Sequence, residues 1–366
     1  MSTTTTAAAP VRPRSEHVSF TAAKLPRVAP VLVAVVAIAA AALPVLLLGW
    51  GVVAWAILAG LVYLVALPAW ARVVEGRRGA TDRMLTGLVW SACVVAIVPL
   101  VSLLWTVIDR GLPAISSTFL TYSMYRTSLD QEVGIYHALI GTLLITLFAA
   151  LISVPIGIMA AIYLIEYGKG SRLARWITFL VDVMTGIPSI VAGLFAFSLF
   201  ILIFGPSTRV GIGGSVALSL LMIPVVVRST EEMLRLVPAD LREASYALGV
   251  PKWRTIVKVV LPTALGGIVT GVTLAIARVV GETAPLLLIA GLTTRTNFNV
   301  FADRMTTLPV LIYTQNANPG IAETPGGTPP GIEIAWGGAL VLILIVMLLN
   351  LVARIIGRIF APKTGH

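Results

Sequence analysis

Long apolar runs, most of them near 20 residues, recur along this chain from Val31 to Ile356, broken by short charged or Gly/Pro-rich segments. No other feature constrains the fold as much. A bilayer's hydrocarbon core is about 30 Å thick and is crossed by about 20 helical residues. In that solvent every backbone N–H and C=O must be satisfied internally, which leaves only helices and closed barrels. Barrel strands would be about ten residues long and alternating, a pattern these longer runs do not show. Composition agrees: 58% of residues are hydrophobic and 11% charged, with mean hydropathy +0.97, against about 25% charged in a soluble domain. The expected fold class is all-α, a polytopic transmembrane bundle of about eight spans.

Residues 1–30 are rich in Thr, Ala and Pro and carry Arg12, Arg14, Lys24 and Arg27, the composition of a disordered basic tail. Val31–Leu48 resembles the core of a secretion signal, but a second run, Val52–Ala71, follows directly after Gly49-Trp50-Gly51. The two therefore read as a membrane hairpin. A basic linker, Arg72 to Arg83, leads to a third span at roughly Met84–Ile108 and a fourth at His137–Tyr163, where Pro155 is expected to give a kink. The fifth span reaches Phe204 and carries Asp182 and Pro188; the sixth covers Ser215–Val227, the seventh Thr263–Leu292 and the eighth Ala335–Ile356. In the long Thr293–Glu333 segment, Leu308–Tyr313 is too short to span and reads as a dip into the membrane surface.

A net charge of +10 would suit nucleic acid, but its placement excludes that class. Of the 26 Lys and Arg, 20 fall in alternate inter-span segments and the two ends, and five fall in the intervening ones (Arg110, Arg126, Arg209, Arg295, Arg304). By the positive-inside rule both termini and the segment after the sixth span are cytosolic, in a plasma (inner) membrane. The single cysteine, Cys93, permits no intrachain disulfide, and His17, His137 and His366 are too scattered to hold a metal. No Gly-x-x-x-x-Gly-Lys-Ser/Thr phosphate cradle occurs. The chain is thus expected to bind no ATP and no cofactor of its own, and any energy source is a partner.

One polar stretch stands out among the apolar runs: EASYALGVPKWRTIVKVVLP, Glu243 to Pro262. Glu243, Ala244 and Ala247 favour helix, Gly249-Val250-Pro251 breaks it, and Lys252–Lys258 can form a second short helix. A helix-turn-helix on one membrane face is a docking knob. Arg278 and Glu282 are charged residues inside an apolar stretch. An arginine there costs about 2.5–3.5 kcal/mol on insertion scales and should face protein or water. Four residues apart on a helix, the two share a face and can pair. They read either as a buried ion pair that fixes packing or as an arginine on an anion pathway, since guanidinium donates bidentate bonds to oxyanions. Arg228, at the expected end of the sixth span, reads as a positive-inside anchor or a pathway residue, within reach of Glu231 three residues on. Asp182 is expected to cap or pair near the cytosolic face, the alternative being contact with cargo. Glu231 and Glu232 read most simply as solvated loop charges, with pairing to Arg228 as the alternative for Glu231.

The spacing of Glu243, Ala244, Ser245, Gly249, Val259, Leu261 and Pro262 resembles the cytosolic-loop motif of bacterial ABC importer permeases: Glu-Ala-Ala, three residues, Gly, nine residues, Ile, one residue, Leu-Pro. Ser245 replaces an Ala and Val259 an Ile. Val225–Leu234, Val237–Trp253 and Leu274–Leu287, with Ile187–Val191, Leu308-Pro309 and Leu348–Ile355, are similar to the A-type permease subunits of phosphate-specific importers. That likeness covers about Leu85 to the C-terminus. It implies a permease domain over 84–366 with a coupling loop at 228–262, and it leaves 31–83 as an extra N-terminal hairpin and linker. It also implies phosphate transport through arginines matching Arg228 and Arg278, and a coupling helix at Glu243–Gly249 seated on an ATPase. The implied partners are a homologous C-type permease, two ATP-binding subunits that hold ATP and Mg, and an external phosphate-binding protein. A permease for another oxyanion or small solute is the alternative. A membrane-embedded enzyme would require clustered His, Asp or Glu at the membrane surface, which the sequence lacks.

Overall fold

The computed structural model describes residues 24–125, 133–206, 208–322 and 327–360. Most of the expected disordered tail (residues 1–23), Arg126, and Lys363 of the basic C-terminal tail lie outside the described residues. Contacts divide the chain into two compact units, residues 1–103 and 104–366, and the division falls inside one long helix. Among the described residues there is helix and no strand.

The first unit holds α1 (Ala29–Leu48), α2 (Val52–Val74) and most of α3 (Gly76–Gly111). α1 and α2 form the expected hairpin around Gly49-Trp50-Gly51. Ala29, Val33, Ala37, Ala41 and Val45 recur every four residues along α1 and form its buried seam. The expected basic linker from Arg72 to Arg83 is not a loop. Only Glu75 lies outside the two helices, and it accepts from the Arg83 guanidinium (3.1 Å) and the Leu25 amide (2.8 Å). Those bonds, Arg83 first, hold its carboxyl below the usual range.

The second unit continues α3 and adds α4 (Ser117–Thr121), α5 (Tyr136–Ile162), α6 (Arg172–Gly186), α7 (Ser189–Phe204) and α8 (Gly211–Leu236). It then forms α9 (Ala239–Ala247), α10 (Lys252–Thr255), α11 (Leu261–Val280), α12 (Ala284–Ile289), α13 (Leu308–Ala317) and α14 (Pro330–Phe360). Seven single helical stretches are long and apolar enough to cross a membrane. The bent pair α6 and α7 passes the same test only together, and the count reaches the expected eight when the pair is taken as one broken span.

Prolines explain why several expected spans are not straight rods. The fifth breaks by 110° between α6 and α7, because Ile187 precedes Pro188 and takes an extended conformation (ψ 126°). The seventh ends at Val280 and does not run on to Leu292. In a continuous helix the Pro285 ring would strike the carbonyl of Gly281 and leave it without a donor. The chain instead opens at Gly281–Thr283 and restarts as α12. Between α10 and α11, residues Ile256–Val260 widen into a π-turn just before Pro262, which relieves the same conflict. α5 continues as a helix through Pro155.

α5, α8 and α11 form the centre of the unit around Ile145, Leu218, Met222, Val226, Ala275 and Val279. Lipid-soluble helices gain nothing by hiding apolar surface from lipid, so close backbone approach and interhelical hydrogen bonds have to hold them together. Gly157 allows that approach, since a Cβ there would lie 2.6 Å from Val226 Cγ1. Ser215 Oγ adds a bond to the Ile145 carbonyl (3.0 Å). The expected dip at Leu308–Tyr313 belongs to α13, where Leu308, Pro309, Val310 and Leu311 are buried within the unit.

Candidate functional site

At one end of the second unit the knob takes the expected helix-turn-helix form. α9 ends in a Schellman turn: Val250 N–H donates to the Ser245 carbonyl (3.2 Å) and Gly249 N–H to that of Tyr246 (2.9 Å). This turn requires the left-handed conformation of Gly249, φ 74°. Glu243, Ala244 and Ala247 are exposed, and Leu248 at the tip is 83% exposed. Ser245 faces the other way. It is buried and hydrogen-bonds Thr255 (Oγ to Oγ1, 2.8 Å), tying α9 to α10. Leu261 and Pro262 are not part of the knob surface; they open α11.

Sequence reasoning missed what holds the knob. Arg242 Nη2 and Nε donate to Glu166 Oε1 (2.9 and 3.1 Å), while Nη1 reaches the Val237 carbonyl (2.7 Å) and Nη2 that of Leu234 (2.8 Å). One guanidinium thus caps the end of α8 and binds the far end of the α5 segment. Lys252 Nζ bonds the Glu166 carbonyl and lies over the Tyr167 ring. The pairing spans 76 positions of sequence. No local pattern announces it; the only available signal is a carboxylate at the end of an apolar run.

Arg228 does not close a span. α8 continues to Leu236, placing Arg228 two turns inside it. Its Nη1 donates to Glu231 Oε2 (2.7 Å) and its Nη2 to Asp182 of α6. Glu231 is not a solvated loop charge: it is buried within α8 and makes the alternative pairing with Arg228, while Asp182 pairs as expected, so two carboxylates neutralise this arginine. Glu231 is buried and Asp182 exposed, so only Asp182 is free to move away.

Arg278 and Glu282 are not a pair. Arg278 occupies the last turn of α11, whereas Glu282 lies in the break after it. Among the described residues no ion pair joins them or involves either one. Arg278 is exposed, and the partial negative charge of the α11 C-terminus lies beneath it. α8 and α11 run antiparallel, with Gly267 against Met233 and Gly271 against Ser229. Arg278 lies seven residues beyond Gly271, so the two arginines are about 10 Å apart in level along the bundle. Among the described residues Arg278 is thus exposed and without a carboxylate partner, while Arg228 is held by two.

A profile described as binding-protein-dependent transport system inner membrane component matches residues 153–366. The chain belongs to this family. It is 49% identical over 291 residues to the phosphate transport system permease protein PstA 1 of Mycobacterium tuberculosis, covering 79% of this chain and 92% of that protein. It is 38% identical over 278 residues to PstA of Haemophilus influenzae, covering 76% and 94%. The methionine ABC transporter MetNI, solved in an inward-facing conformation, matches 62% of this chain and 94% of its own at 22% identity and a TM-score of 0.47. As a family member the chain is a membrane-embedded transport component and not an enzyme.

Proposed function

We propose that this chain is the membrane-spanning permease subunit of an ATP-driven phosphate importer, forming half of the translocation pathway. The observation that carries the reading is Arg278, an exposed guanidinium without a carboxylate partner among the described residues, on a helix otherwise fit for lipid. Facing lipid it would cost about 2.5–3.5 kcal/mol, so a water-filled path with an anionic cargo is the economical assignment. Phosphate transport comes from the relatives named above. Arg228 would serve when Asp182 withdraws, and Glu282 would line the break beside Arg278.

The partners in this reading are a homologous C-type permease, two ATP-binding subunits and an external phosphate-binding protein. ATP and Mg bind on the ATPase subunits. Both termini and the knob face the cytosol. The exposed face of α9, with Glu243, Ala244 and Leu248, would sit on an ATPase subunit and carry its closure through Arg242 and Glu166 into α8 and α5. The cargo must also leave, so binding along the path would be weak and selectivity would rest with the external protein. Uptake of radiolabelled phosphate by the reconstituted complex tests this. Arg278→Ala should reduce uptake at least about tenfold, the loss of one charge-assisted contact, with assembly unchanged. Normal uptake, or uptake equally inhibited by unrelated anions, would reject the assignment.

A further inference from the structure

The start of α6 carries a charged and aromatic patch that neither the pathway nor the knob uses. From residue 167 to 181 the chain has no acidic residue, yet Lys169, Arg172 and Arg175 follow one another closely there. All three are exposed, and among the described residues none enters an ion pair. The flanking carboxylates are taken, Glu166 by Arg242 and Asp182 by Arg228. The helix dipole does not favour cations at this end of α6 either, so nothing in the chain itself offsets the two arginines.

At about 100° of turn per residue, Arg172, Trp176, Phe179 and Val183 share one face of α6, opposite the buried Val181. Trp176 is 64% exposed and Phe179 55%. Their rings meet edge to face with centroids 5.9 Å apart, and with Arg172 and Arg175 they line a hollow of about 460 Å³. Leu173 and Leu180, both exposed, continue the apolar side of that face. The 110° bend lays α6 across the line of α7, so with α7 along the membrane normal α6 lies close to the membrane plane. It does so at the knob end, where Lys252 of α10 bonds the Glu166 carbonyl. The start of the helix is fixed: Ser171 Oγ accepts from the Ala174 amide (3.0 Å) and shares a hydrogen bond with the Tyr163 hydroxyl (3.2 Å). Arginine beside tryptophan and phenylalanine on an in-plane amphipathic helix is the arrangement that meets a layer of lipid headgroups.

We infer that this face of α6 binds an anionic phospholipid, with its phosphate held by Arg172 and Arg175 and an acyl chain laid over Trp176 and Phe179. A guanidinium fork donates parallel bonds to phosphate oxygens, and indole and phenyl rings settle at the headgroup boundary. A zwitterionic lipid brings the same chains but cancels its phosphate with its own cation, so preference for a net negative headgroup is the signature. A neighbouring protein chain would instead have to bring an acid to both arginines and an apolar ridge to both rings. Asp182, which holds Arg228, lies less than one turn beyond Phe179 on the same helix. A lipid seated here therefore steadies the element that carries that contact. The site needs only a membrane-embedded chain and is independent of the cargo.

The test uses the complete complex purified in mild detergent, titrated with dioctanoyl phosphatidylglycerol and separately with dioctanoyl phosphatidylcholine, with bound lipid counted by native mass spectrometry. The unsubstituted complex should hold one more tightly bound phosphatidylglycerol per copy of this chain than the complex carrying Arg172→Gln and Arg175→Gln together. Affinity at that site should fall by about tenfold or more, the loss of two cations beside one phosphate, while phosphatidylcholine counts stay the same. Both arginines are exposed and unpaired among the described residues, so the double variant should fold, and an unchanged thermal midpoint checks that it does. Equal phosphatidylglycerol counts in the two complexes, or a parallel loss of both lipids, overturns the site. In a Cys93→Ala chain, efficient cross-linking of Trp176→Cys to a neighbouring subunit would also overturn it and give the face to protein. Uptake is not measured, so a wrong cargo assignment leaves each of these outcomes readable.

Discussion

Arg228 and Arg278 are the same residue type on neighbouring helices, and their surroundings give them different work. Arg228 is bound by a buried carboxylate and an exposed one, so the group as a whole carries no spare positive charge. An anion can engage it only by competing with Asp182. Asp182→Asn should therefore free Arg228 without leaving a buried charge unpaired, because Glu231 remains. The measured result should be a lower half-saturating phosphate concentration for uptake or a raised basal ATPase rate, with unchanged expression; identical kinetics would remove Asp182 from the path. Glu166 is the opposite case. Its carboxylate is buried and paired with Arg242, and breaking such a pair costs about 3–5 kcal/mol. Glu166→Gln should lower the thermal midpoint of the purified complex and uncouple ATP hydrolysis from uptake more than it lowers hydrolysis itself.

At the scale of elements, breaks matter as much as helices. Pro188, Pro262 and Pro285 each force a local solution: a bend between α6 and α7, a π-turn, and the opening that separates Arg278 from Glu282. The hydrophobic runs predicted that helices exist there, and the prolines were visible, yet periodicity alone treats a run as one rod. For that reason the Arg278–Glu282 pairing expected from four-residue spacing does not form. The knob shows the opposite outcome, because its turn is written locally in Gly249 and Pro251. A β-branched side chain at a left-handed position costs about 1–2 kcal/mol. Gly249→Val has open space around it, so strain and not a clash is what it introduces. It should reduce co-purification of the ATP-binding subunits while the chain still inserts; retained coupling would argue that α9 does not dock.

For the whole molecule, the asymmetry of positive charge leads us to propose that the knob and both termini are cytosolic. Leu248, exposed at the tip of α9, offers the check. With Cys93 replaced by Ala, a Leu248→Cys chain should react with a membrane-impermeant maleimide in inverted vesicles and not in intact cells. Labelling from outside would invert the topology and with it the coupling proposal.

The apolar runs and the loop motif around Glu243–Pro262 were enough to define an all-helical permease with a knob, because each is a local pattern imposed by lipid or by turn chemistry. Glu166 with Arg242 and Asp182 with Arg228 come from segments 76 and 46 positions apart. Hydrogen-bond satisfaction in a dry interior selects those partners only after the helices have packed, so the tertiary structure alone decided which arginine is held and which is free.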